Sequence, residues 1–534
     1  MIRTLACLLA VVSSSTLSLQ AEESGRFFRP FYTASNNYAP TRRAVVDDAN
    51  EVKVIWDGPE HMGCGKGLSS SLFAMTVKAM EDKSIAFYGG ASSLVAADGR
   101  VFCYYARPSG PMVRNPDKTS PSQLVNHILA DDILVALDAV TGKVVWKAIE
   151  KQTNINIGGG KRFHWTNSPA IADGRIVFQN VLGRYFCYEL ATGKKLWDTP
   201  ASEEVQRRVE LAVKEGRKVS REGRDGVGMR QQSPVIADGV IFDRSGHAGY
   251  SLTDGRELWA VDPETDNKRY WATRNSYRAS PAVWKHEGKE YVLINTGYQH
   301  TLVLLDPQTG DIVWTVKHGG SSHTPNLQED YLVWPVRPSK TTFTDHKNRE
   351  LVHGVWGCYR LTLDGPEIIW ELPDDPAHWA IRPGGDRSSD RVVTYGDGVV
   401  WLNLYGVKDR GTGTDRGPNG YLLDLKTGRK IAQVPREAFE GTGTYPGEFG
   451  NFIDRQHYVD LLDTSHTANT TTQKIRLFKV DYEKGQITFL GRCEAGGQFV
   501  AIGGYEVGMD PPMLDGRLYF RSNKGVACLD FCDD

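Results

Sequence analysis

The sequence predicts an all-β fold, an eight-bladed β-propeller built from four-stranded antiparallel blades. Two repeated phrases support this prediction: one ends in a Gly and a Trp, and the other has an Asp-Gly pair between short apolar runs. The third observation is a strand near the N-terminus that can complete the last blade. A chain of 534 residues is long for one domain, but all-β domains often exceed the usual domain size.

The first phrase defines the repeat. It runs from Ala136 to Trp146, with Asp138 near its start and Thr141-Gly142 in the middle. Full copies recur downstream and end at these tryptophans: Trp197, Trp259, Trp314 and, in a looser form, Trp370. Weaker copies without the tryptophan are Asp424–Gly428 and Asp481–Gly485. The tryptophans are 51, 62, 55 and 56 residues apart, which is typical of one propeller blade per repeat.

The second phrase precedes the first in several copies. Its clearest forms are Ser168–Phe178 and Ser233–Phe242, and Leu94–Gly99 and Pro512–Gly516 resemble them. An Asp-Gly pair between alternating apolar residues predicts a tight hairpin, because Gly accepts the positive φ of a type I′ turn. The Thr-Gly pair predicts a second hairpin. Each unit therefore has four short strands, A to D, with an A–B turn at Asp-Gly and a C–D turn at Thr-Gly.

The count of repeats predicts eight blades. Seven full units are followed by strands at 511–531 that lack a D strand, and Val52–Trp56 can supply it. Closing the ring in this way removes exposed sheet edges. Seven blades remain an alternative, because the copies after Trp370 are degenerate.

The repeated tryptophans are predicted to be core residues. A tryptophan buried between neighbouring blades removes ~150–250 Å² of its surface from water. We therefore expect each of them to pack against the next blade of the ring.

The N-terminus predicts export. A positive start and an apolar run, Leu5–Val12, lead to a cleavage site at Ala21, so residues 1–21 are predicted to be a signal peptide. Residues 22–50 are then an N-terminal extension, and residues 51–534 form the propeller domain. No later segment is long and apolar enough for a transmembrane helix. We expect a periplasmic or secreted protein.

The charge composition limits the classes of binding partner, and the cysteine count limits the possible disulfides. The chain has 63 basic and 65 acidic residues, so it has no electrostatic footprint for nucleic acid. Removal of Cys7 leaves seven cysteines, an odd number, and their pairing stays open. Three of them, Cys187, Cys358 and Cys528, occupy one repeat position that Ala136 also fills, which favours small buried core residues.

The phrase Ala-x-Asp-x-x-Thr-Gly-x-x-x-Trp resembles the propeller repeat of the pyrroloquinoline-quinone (PQQ) family over nearly all of the mature chain. That family includes quinoprotein alcohol and sugar dehydrogenases and the propeller protein of the outer-membrane β-barrel assembly machinery. The resemblance implies the fold, whereas function must be argued from a site.

The chain departs from the dehydrogenases of this family. It has no adjacent cysteine pair, on which many of them stack the quinone, and no Cys-x-x-Cys-His for a c-type haem. PQQ and calcium ligands are therefore not carried over, and the cofactor stays unknown, with PQQ plus calcium as one alternative. No metal ligands are predicted, because the sequence shows no His-x-His or His-x-x-x-His pair.

The long insertions are predicted to lie on one face of the disc. They replace B–C and D–A connections, whereas the A–B and C–D turns stay short, and they span 57–90, 106–132, 200–230, 337–352, 405–419, 436–456 and 463–473. We call this the loop-rich face and the opposite one the turn face. Segregated loops indicate a binding surface on a rigid scaffold. Ser120-Pro121 predicts a helix that includes Ile128 and Leu129, and residues 202–215 predict a second helix.

The residues just before each A strand are predicted to surround the channel mouth on the loop-rich face. They form the candidate substrate-binding set: His164, Trp165, Arg230, Gln231, Tyr277, Arg278, His323, Arg382, Glu448 and Asp510. The B–C loops add Arg184, His247, Tyr298 and His300. Cationic and aromatic groups in one pocket suit an anionic or polyhydroxylated ligand.

These residues predict binding of a sugar-like or acidic glycan ligand, with catalysis by His and Tyr as acid and base left open. Two other functions remain. One is a PQQ-dependent alcohol or sugar dehydrogenase with an altered cofactor site. The other is a non-enzymatic scaffold that contacts cell-envelope proteins. The substrate, the reaction and the oligomeric state are not predicted.

Overall fold

The computed structural model describes residues 40–57, 94–114, 125–157, 168–180, 182–200, 233–243, 247–262, 264–266, 268–269, 272, 279–296, 300–320, 324–344, 350–375, 379–380, 393–404, 407–408, 415–416, 418–440, 448–461, 475–493, 511–521 and 526–533. Within them the chain forms eight four-stranded antiparallel sheets and one two-stranded sheet. The described ranges include two short 3₁₀ helices, Ala49–Glu51 and Arg436–Phe439, and Lys268, Arg269 and Ala272 are also helical. None of the helices in the described ranges has the length and hydropathy to cross a bilayer.

The first half of the ring follows the predicted order A to D within each blade. The chain starts with β1 (Lys53–Asp57). Blade 1 contains β2 (Val95–Ala97), β3 (Arg100–Arg114), β4 (Val125–Asp138) and β5 (Val144–Ile157). Blade 2 contains β6 (Ala170–Ala172), β7 (Arg175–Gln179), β8 (Tyr185–Glu189) and β9 (Lys195–Asp198). Blade 3 contains β10 (Val235–Ala237), β11 (Val240–Phe242), β12 (Ala248–Ser251) and β13 (Glu257–Ala260). Blade 4 contains β14 (Ala282–His286), β15 (Lys289–Thr296), β16 (Thr301–Leu305) and β17 (Ile312–Lys317).

The second half is less regular. Blade 5 contains β18 (Tyr331–Thr344), β19 (Glu350–Arg360), β20 (Glu367–Glu371) and β21 (Trp379–Ala380). Blade 6 contains β22 (Val393–Tyr395), β23 (Val399–Leu404), β26 (Asn419–Asp424) and β27 (Lys430–Gln433), and its B–C insertion holds the two-stranded sheet of β24 (Val407–Lys408) and β25 (Asp415–Arg416). Blade 7 contains β28 (Glu448–Phe452), β29 (His457–Leu461), β30 (Ile475–Asp481) and β31 (Gln486–Cys493). Blade 8 contains β32 (Met513–Leu514), β33 (Arg517–Arg521) and β34 (Val526–Asp530).

Blade 5 departs from the four-strand order. Its innermost segment, 324–328, makes a single bridge between Gln328 and Tyr331 instead of a regular A strand. The fourth strand of its sheet is β21, which pairs with the far end of β19.

The N-terminal strand closes the ring as predicted. β1 pairs antiparallel with β34, with Val54 opposite Leu529, and completes blade 8. The eight-blade count is thereby confirmed, and the seven-blade alternative is wrong. A strap formed by residues 40–51 continues the closure on the turn face. Its backbone bonds to the C-terminal segment, with Val46 N–H donating to Phe531 O at 2.9 Å.

The Asp-Gly pairs form the predicted tight turns. In the A–B turns of blades 1, 2, 3 and 8 both residues of the pair have positive φ, as in Asp173 (48°) and Gly174 (67°). Blade 4 uses Glu287-Gly288 in the same way. This geometry matches the right-handed twist of the strands it joins, so these hairpins can be two residues long.

The repeated tryptophans join neighbouring blades, as the repeat predicts. Five of these six indoles lie over the Gly of the next C–D turn; a Cβ on Gly142, for example, would lie 2.5 Å from the Trp56 ring. The exception is Trp314, because a Cβ on Gly365 in the following turn would have no atom within 4 Å. Each indole N–H also donates to a backbone carbonyl of the next blade: Trp56 to Ala139 (3.2 Å), Trp146 to Leu190 (3.1 Å), Trp197 to Leu252 (3.0 Å), Trp259 to Pro307 (2.8 Å), Trp314 to Thr362 (2.9 Å) and Trp370 to Leu425 (2.8 Å). Trp146, Trp197 and Trp259 are half-buried, whereas the other three are buried.

The helix predicted from Ser120-Pro121 is wrong over its described part. Ile128 and Leu129 belong to β4, where Ile128 pairs with Met112 of β3. Pairing with β3 and β5 fixes this segment as strand, and such tertiary contacts override local helix signals. Residues 202–215 lie outside the described residues. The insertions 106–132 and 337–352 are largely long B–C hairpins, and 436–456 includes the A strand of blade 7.

Candidate functional site

Hydrogen bonds from backbone N–H groups to side-chain hydroxyls link the innermost segments of blades 2 to 5. We call this series of bonds the hydroxyl relay. The backbone N–H of Ser168 donates to Ser233 Oγ (2.8 Å), and Ser233 N–H donates to Ser280 Oγ (3.0 Å). Ser280 N–H in turn donates to Thr324 Oγ1 at 2.9 Å. All four residues are buried and stand at the start of the innermost segment of their blade. The residues that begin four successive innermost segments are therefore direct neighbours.

Other side chains continue this inner ring to blade 8. Asn326 Nδ2 donates to Val393 O (3.2 Å), Thr394 Oγ1 to Gly450 O (3.3 Å), and Asn451 Nδ2 to Pro511 O (3.2 Å). Each bond joins one blade to the next. The inner ring is thus fixed by hydrogen bonds through six consecutive junctions, which makes it a rigid support for residues at the channel mouth.

Most of the predicted site residues lie outside the described residues: His164, Trp165, Arg230, Gln231, Tyr277, Arg278, His323, Arg382 and Asp510. Glu448 is the first residue of β28, where its backbone pairs with Leu461. Convergence of the ten residues on one mouth therefore stays a prediction. The relay is relevant to this prediction because Ser233, Ser280 and Thr324 follow Gln231, Arg278 and His323 within two residues in the sequence.

The B–C loop residues have other partners. Arg184 forms an ion pair with Asp198, donates to Thr199 O (2.9 Å) and lies 5.0 Å from the Phe186 ring centroid. These contacts hold the corner of blade 2 together and do not leave the guanidinium poised for a ligand. His247 is buried, and its carbonyl accepts from Val261 N–H. Tyr298 lies outside the described residues.

His300 and His318 form a pair at the loop-rich end of blade 4. Their ring centroids are 6.0 Å apart in an edge-on arrangement, and His300 is exposed. His318 is buried; its Nδ1 accepts from Gly320 N–H (3.0 Å) and its Nε2 lies 3.2 Å from Asn295 Oδ1. Burial, with a smaller effect from His300, lowers the pKa of His318 to about 3. His318 is thus a neutral residue that fixes the segment after β17. In the sequence, its position after a D strand is the one feature that points to this role.

Two buried carboxylates lie near the same face. Asp460 forms a bidentate pair with Arg476 (2.7 and 2.8 Å), and both side chains are fully buried. Arg476 Nη1 also donates to Ala438 O in the D–A connection that leads to Glu448. Neither residue has a sequence signal beyond its charge in an apolar strand. We infer a structural role, since a broken buried pair is costly.

The second carboxylate, Asp132, accepts four hydrogen bonds without a cation. Its donors are Tyr104 Oη (2.6 Å), Asn154 Nδ2 (2.6 Å), Asn180 Nδ2 (3.0 Å) and Thr153 Oγ1 (2.8 Å). Burial raises the pKa of the Asp132 carboxyl, whereas these bonds act in the opposite direction. Since Asn180 belongs to blade 2, the network joins blades 1 and 2 at the base of the long hairpin.

The described residues provide no ligand group for calcium. No group of three His, Cys, Asp or Glu side chains within the described ranges is placed to hold a metal ion. The six cysteines in this part of the chain are buried and separate from one another. The two buried carboxylates Asp132 and Asp460 already bind protein groups, and no step through the quinone is derived.

Comparison with known proteins agrees with the repeat. Residues 130–317 match a family model described as outer membrane protein assembly factor BamB. The chain carries the PQQ-like propeller repeat. This match covers blades 2 to 4 and most of the C–D hairpin of blade 1. No curated protein matches the chain by sequence.

Solved structures show the fold of this PQQ-like propeller. Quinohemoprotein alcohol dehydrogenase from Comamonas testosteroni aligns with a TM-score of 0.50 and 11% identity, over 96% of this chain and 81% of that one. BamB from Moraxella catarrhalis aligns with a TM-score of 0.41 and 16% identity, over 74% of this chain and 90% of that one. At such identities the likeness concerns the fold alone.

Proposed function

We propose that this chain is an extracytoplasmic PQQ-like propeller protein that binds a sugar-like or acidic glycan ligand at its loop-rich face. The signal peptide predicted for residues 1–21 supports a location in the periplasm or outside the cell. The balanced charge of the chain gives no reason to expect nucleic acid as a partner.

The observation that carries this proposal is the hydroxyl relay of the inner ring. Ser233, Ser280 and Thr324 are hydrogen-bonded from blade to blade. The residues that lead into them include Gln231, Arg278 and His323. Since the following residues are joined, we expect these side chains to meet at one channel mouth.

The residue types define the ligand class. Arginine offers two parallel donors to a carboxylate or sulfate, and a compact set of arginines favours an anion. Trp165 and Tyr277 provide flat apolar surfaces on which a sugar ring can stack. Whether a His or Tyr also transfers a proton to the bound ligand is a separate matter, decided by an activity measurement.

A thermal-shift panel tests the proposal. The protein is heated with uronic acid oligosaccharides, sulfated oligosaccharides, neutral oligosaccharides of equal length, and PQQ with Ca²⁺. A ligand that binds only the native state raises Tm with concentration, and we expect this for the acidic glycans. No shift with any glycan contradicts the proposal. A shift with PQQ and Ca²⁺, accompanied by reduction of an electron-acceptor dye, would establish the dehydrogenase instead.

One observation favours a second candidate, a non-enzymatic scaffold in the cell envelope. It is the match of residues 130–317 to the BamB family model. This candidate predicts co-purification of one defined outer-membrane assembly component in a fixed stoichiometry from detergent-solubilised envelopes. It also predicts no Tm shift with any glycan, so the same panel separates the two candidates.

A further inference from the structure

Two long hairpins extend the loop-rich ends of blades 1 and 5. The blade-1 arm consists of residues 107–114, 125–131 and 151–157, and the blade-5 arm consists of residues 337–344, 350–355 and 379–380. Each arm has a B strand, a C strand and a third strand on the outer side. Blades 1 and 5 are four steps apart in a ring of eight, so the two arms rise on opposite sides of the channel mouth.

The arms share a motif at their base. Arg-Pro-Ser occurs twice in the sequence, at 107–109 and 337–339, and both copies stand where a B strand enters its arm. The ladder has the same irregularity at both places. Pro108 pairs with Ala130 and the next pair is Met112 with Ile128; Pro338 pairs with Gly354 and the next pair is Thr342 with Val352. In each case four residues on the B strand face two on the C strand, and such a bulge bends the hairpin.

One aspartate fixes each bend. In blade 1, Asp131 accepts hydrogen bonds from Arg107 Nη2 (2.9 Å), from the Ser109 hydroxyl and from Gln152 N–H (3.0 Å). In blade 5, Asp374 accepts from Arg337 Nη1 (3.2 Å), Ser339 Oγ (2.7 Å) and Lys340 N–H (3.0 Å). We call these two groups the arm clamps. In each clamp one aspartate binds both the Arg and the Ser of the motif, and in blade 5 Arg337 also forms an ion pair with Glu371 (2.9 Å).

The two clamps obtain the same geometry from different parts of the fold. Asp131 lies on the C strand of its own arm, whereas Asp374 follows the D strand of blade 5. A bend needed only for packing within one blade would have no reason to recur on the opposite blade with another carboxylate. The recurrence indicates that the position of the arms relative to the channel mouth matters.

The strand that faces the channel in each arm is poorly suited to pair with a polypeptide. Within the arms, β3 carries Pro108 and Pro111, and β18 carries Pro338. Proline cannot donate to a ladder and is confined to edge strands, which it protects from strand addition. These prolines disfavour a polypeptide strand as the occupant of the space between the arms.

The composition of the arms suits an anion. The blade-1 arm contains Arg107, Arg114 and Lys151 against one acid, Asp131. The blade-5 arm contains Arg337 and Lys340 against one acid, Glu350. Lys151 and Lys340 are exposed. Both arms therefore have an excess of positive charge, which favours a ligand that is negatively charged along its length.

We propose that the two arms bind one acidic oligosaccharide that spans the channel mouth, so that the ligand is a chain of several charged sugar units and not a single sugar. This inference rests on the proposed function and specifies its ligand. The clamps preorganise both arms, which lowers the ordering cost of binding, and simultaneous contact with two arms strengthens binding of a long ligand only.

Hydrogen exchange of the full chain with two probes, hexagalacturonic acid and galacturonic acid, tests the inference. We expect the hexamer to slow exchange in both β3–β4 and β18–β19, and the monomer to slow it in neither pair of strands. Protection of a single arm by the hexamer would overturn the two-arm inference while leaving the proposed glycan function intact. If neither probe binds and no other acidic glycan shifts Tm, both the two-arm inference and the proposed glycan function are contradicted.

Clamp variants provide the second measurement. Asp131→Asn and Asp374→Asn each keep the side-chain shape, and we expect each to weaken hexamer binding about fivefold, from the added cost of ordering one arm. The double variant should weaken hexamer binding by roughly the product of the two single effects. Binding of the monomer should be unchanged in all three variants. Asp138→Asn, on the turn face of blade 1, is the matched control and should bind like the parent protein. Hexamer affinity unaffected in the double variant, at unchanged Tm, would overturn the inference.

Discussion

The imidazole of His457 is hydrogen-bonded to Asp47, with 3.0 Å between His457 Nε2 and Asp47 Oδ1, although 410 residues separate the two in the chain. Its other nitrogen, Nδ1, lies 2.9 Å from Asp454 Oδ2. Asp47 also accepts from Lys479 Nζ at 2.6 Å. A ring with a carboxylate at each nitrogen is an imidazolium, and it fastens the N-terminal strap to the first turn of blade 7.

This pair makes the strap sensitive to pH. Burial opposes the charge on His457, but the bonds to Asp454 and Asp47 outweigh it and raise the pKa of His457 above 6.5. A raised folded-state pKa contributes stability below pH 6.5, and this contribution is lost as the pH rises through the folded value. Bonds from Lys479 and His457 lower the pKa of Asp47 below 3.8, so its contribution is lost only in stronger acid.

We therefore expect the strap to be held more firmly at pH 5.5 than at pH 8.5. The measurement is hydrogen exchange of strap amides such as Val46, corrected for the intrinsic rate at each pH. His457→Gln should remove the difference between the two pH values. The control is His286→Gln, which changes a histidine in blade 4 and should keep it. An equal pH dependence in the parent and in His457→Gln would contradict the role of this imidazolium.

Ring closure by β1 should contribute a large part of the stability. A chain that begins at residue 59 loses the strap, β1 and Trp56, whereas a chain that begins at residue 40 keeps them. We expect the shorter chain to lose at least ~4 kcal/mol in free energy of unfolding, since deletion of one large buried aromatic alone costs ~3–5 kcal/mol. Urea denaturation gives both values. A difference below ~1 kcal/mol would mean that the ring does not depend on this strand.

The contact between tryptophan and glycine at each blade junction can be isolated within blade 2. Gly193 has φ of 71°, and a Cβ there would lie 2.5 Å from Trp146 Cδ2; Gly174 has φ of 67° with no atom within 4 Å. Gly174→Ala should cost ~1–2 kcal/mol from backbone strain alone. We expect Gly193→Ala to cost ~1–3 kcal/mol more, because the methyl group displaces the indole. Equal losses in thermal or urea unfolding would show that the indole moves aside without cost.

The Asp460–Arg476 pair should be costly to break and inexpensive to replace. Arg476→Met leaves a fully buried carboxylate without its cation, for which we expect a loss of ~3–5 kcal/mol. Replacing both residues, as Arg476→Met with Asp460→Leu, should restore most of the stability. Chemical denaturation of the two single variants and the double variant completes the cycle. A double variant as unstable as the sum of the singles would indicate that the pair has no mutual dependence.

The glycan proposal predicts a specific effect for two arginines that are expected, from the sequence, to lie at the channel mouth. Arg230→Ala and Arg278→Ala should abolish binding of the acidic glycan found in the thermal-shift panel, with Tm unchanged or slightly raised. Like charges in one site repel each other, so their removal need not destabilise the protein. Arg256→Ala, in the C–D turn of blade 3 on the turn face, is the control. Retained affinity in both site variants would move the site elsewhere.

The local features of the fold could be predicted from the sequence, and the long-range ones only in part. The turns at Gly174 and Gly193 and the docking of Trp146 and Trp197 follow from residues within one repeat. Closure by Val52–Trp56 could be predicted because counting blades left a D strand missing. The two arms could not be predicted from the sequence. Ser120-Pro121 favours a helix, whereas pairing with β3 makes the segment that follows a strand.

The site was less predictable than the fold for a similar reason. Equivalent repeat positions predict which residues approach the channel, but they do not predict what each side chain contacts. Arg184 has the right position and chemistry, yet Asp198 neutralises it. His318 and Arg476 have no periodic signal, because their partners, Asn295 and Asp460, come from other strands of the same blade.

The pairing of β1 with β34 imposes an order on folding. β1 is the first and β34 the last of the described strands, so blade 8 cannot form until the segment that contains β34 has been synthesised. Until then Val54 and Ile55 have no partner strand, and an unpaired apolar strand is prone to aggregation and cleavage. A prematurely terminated chain cannot close the ring, so its β1 strand stays unpaired and accessible to proteases.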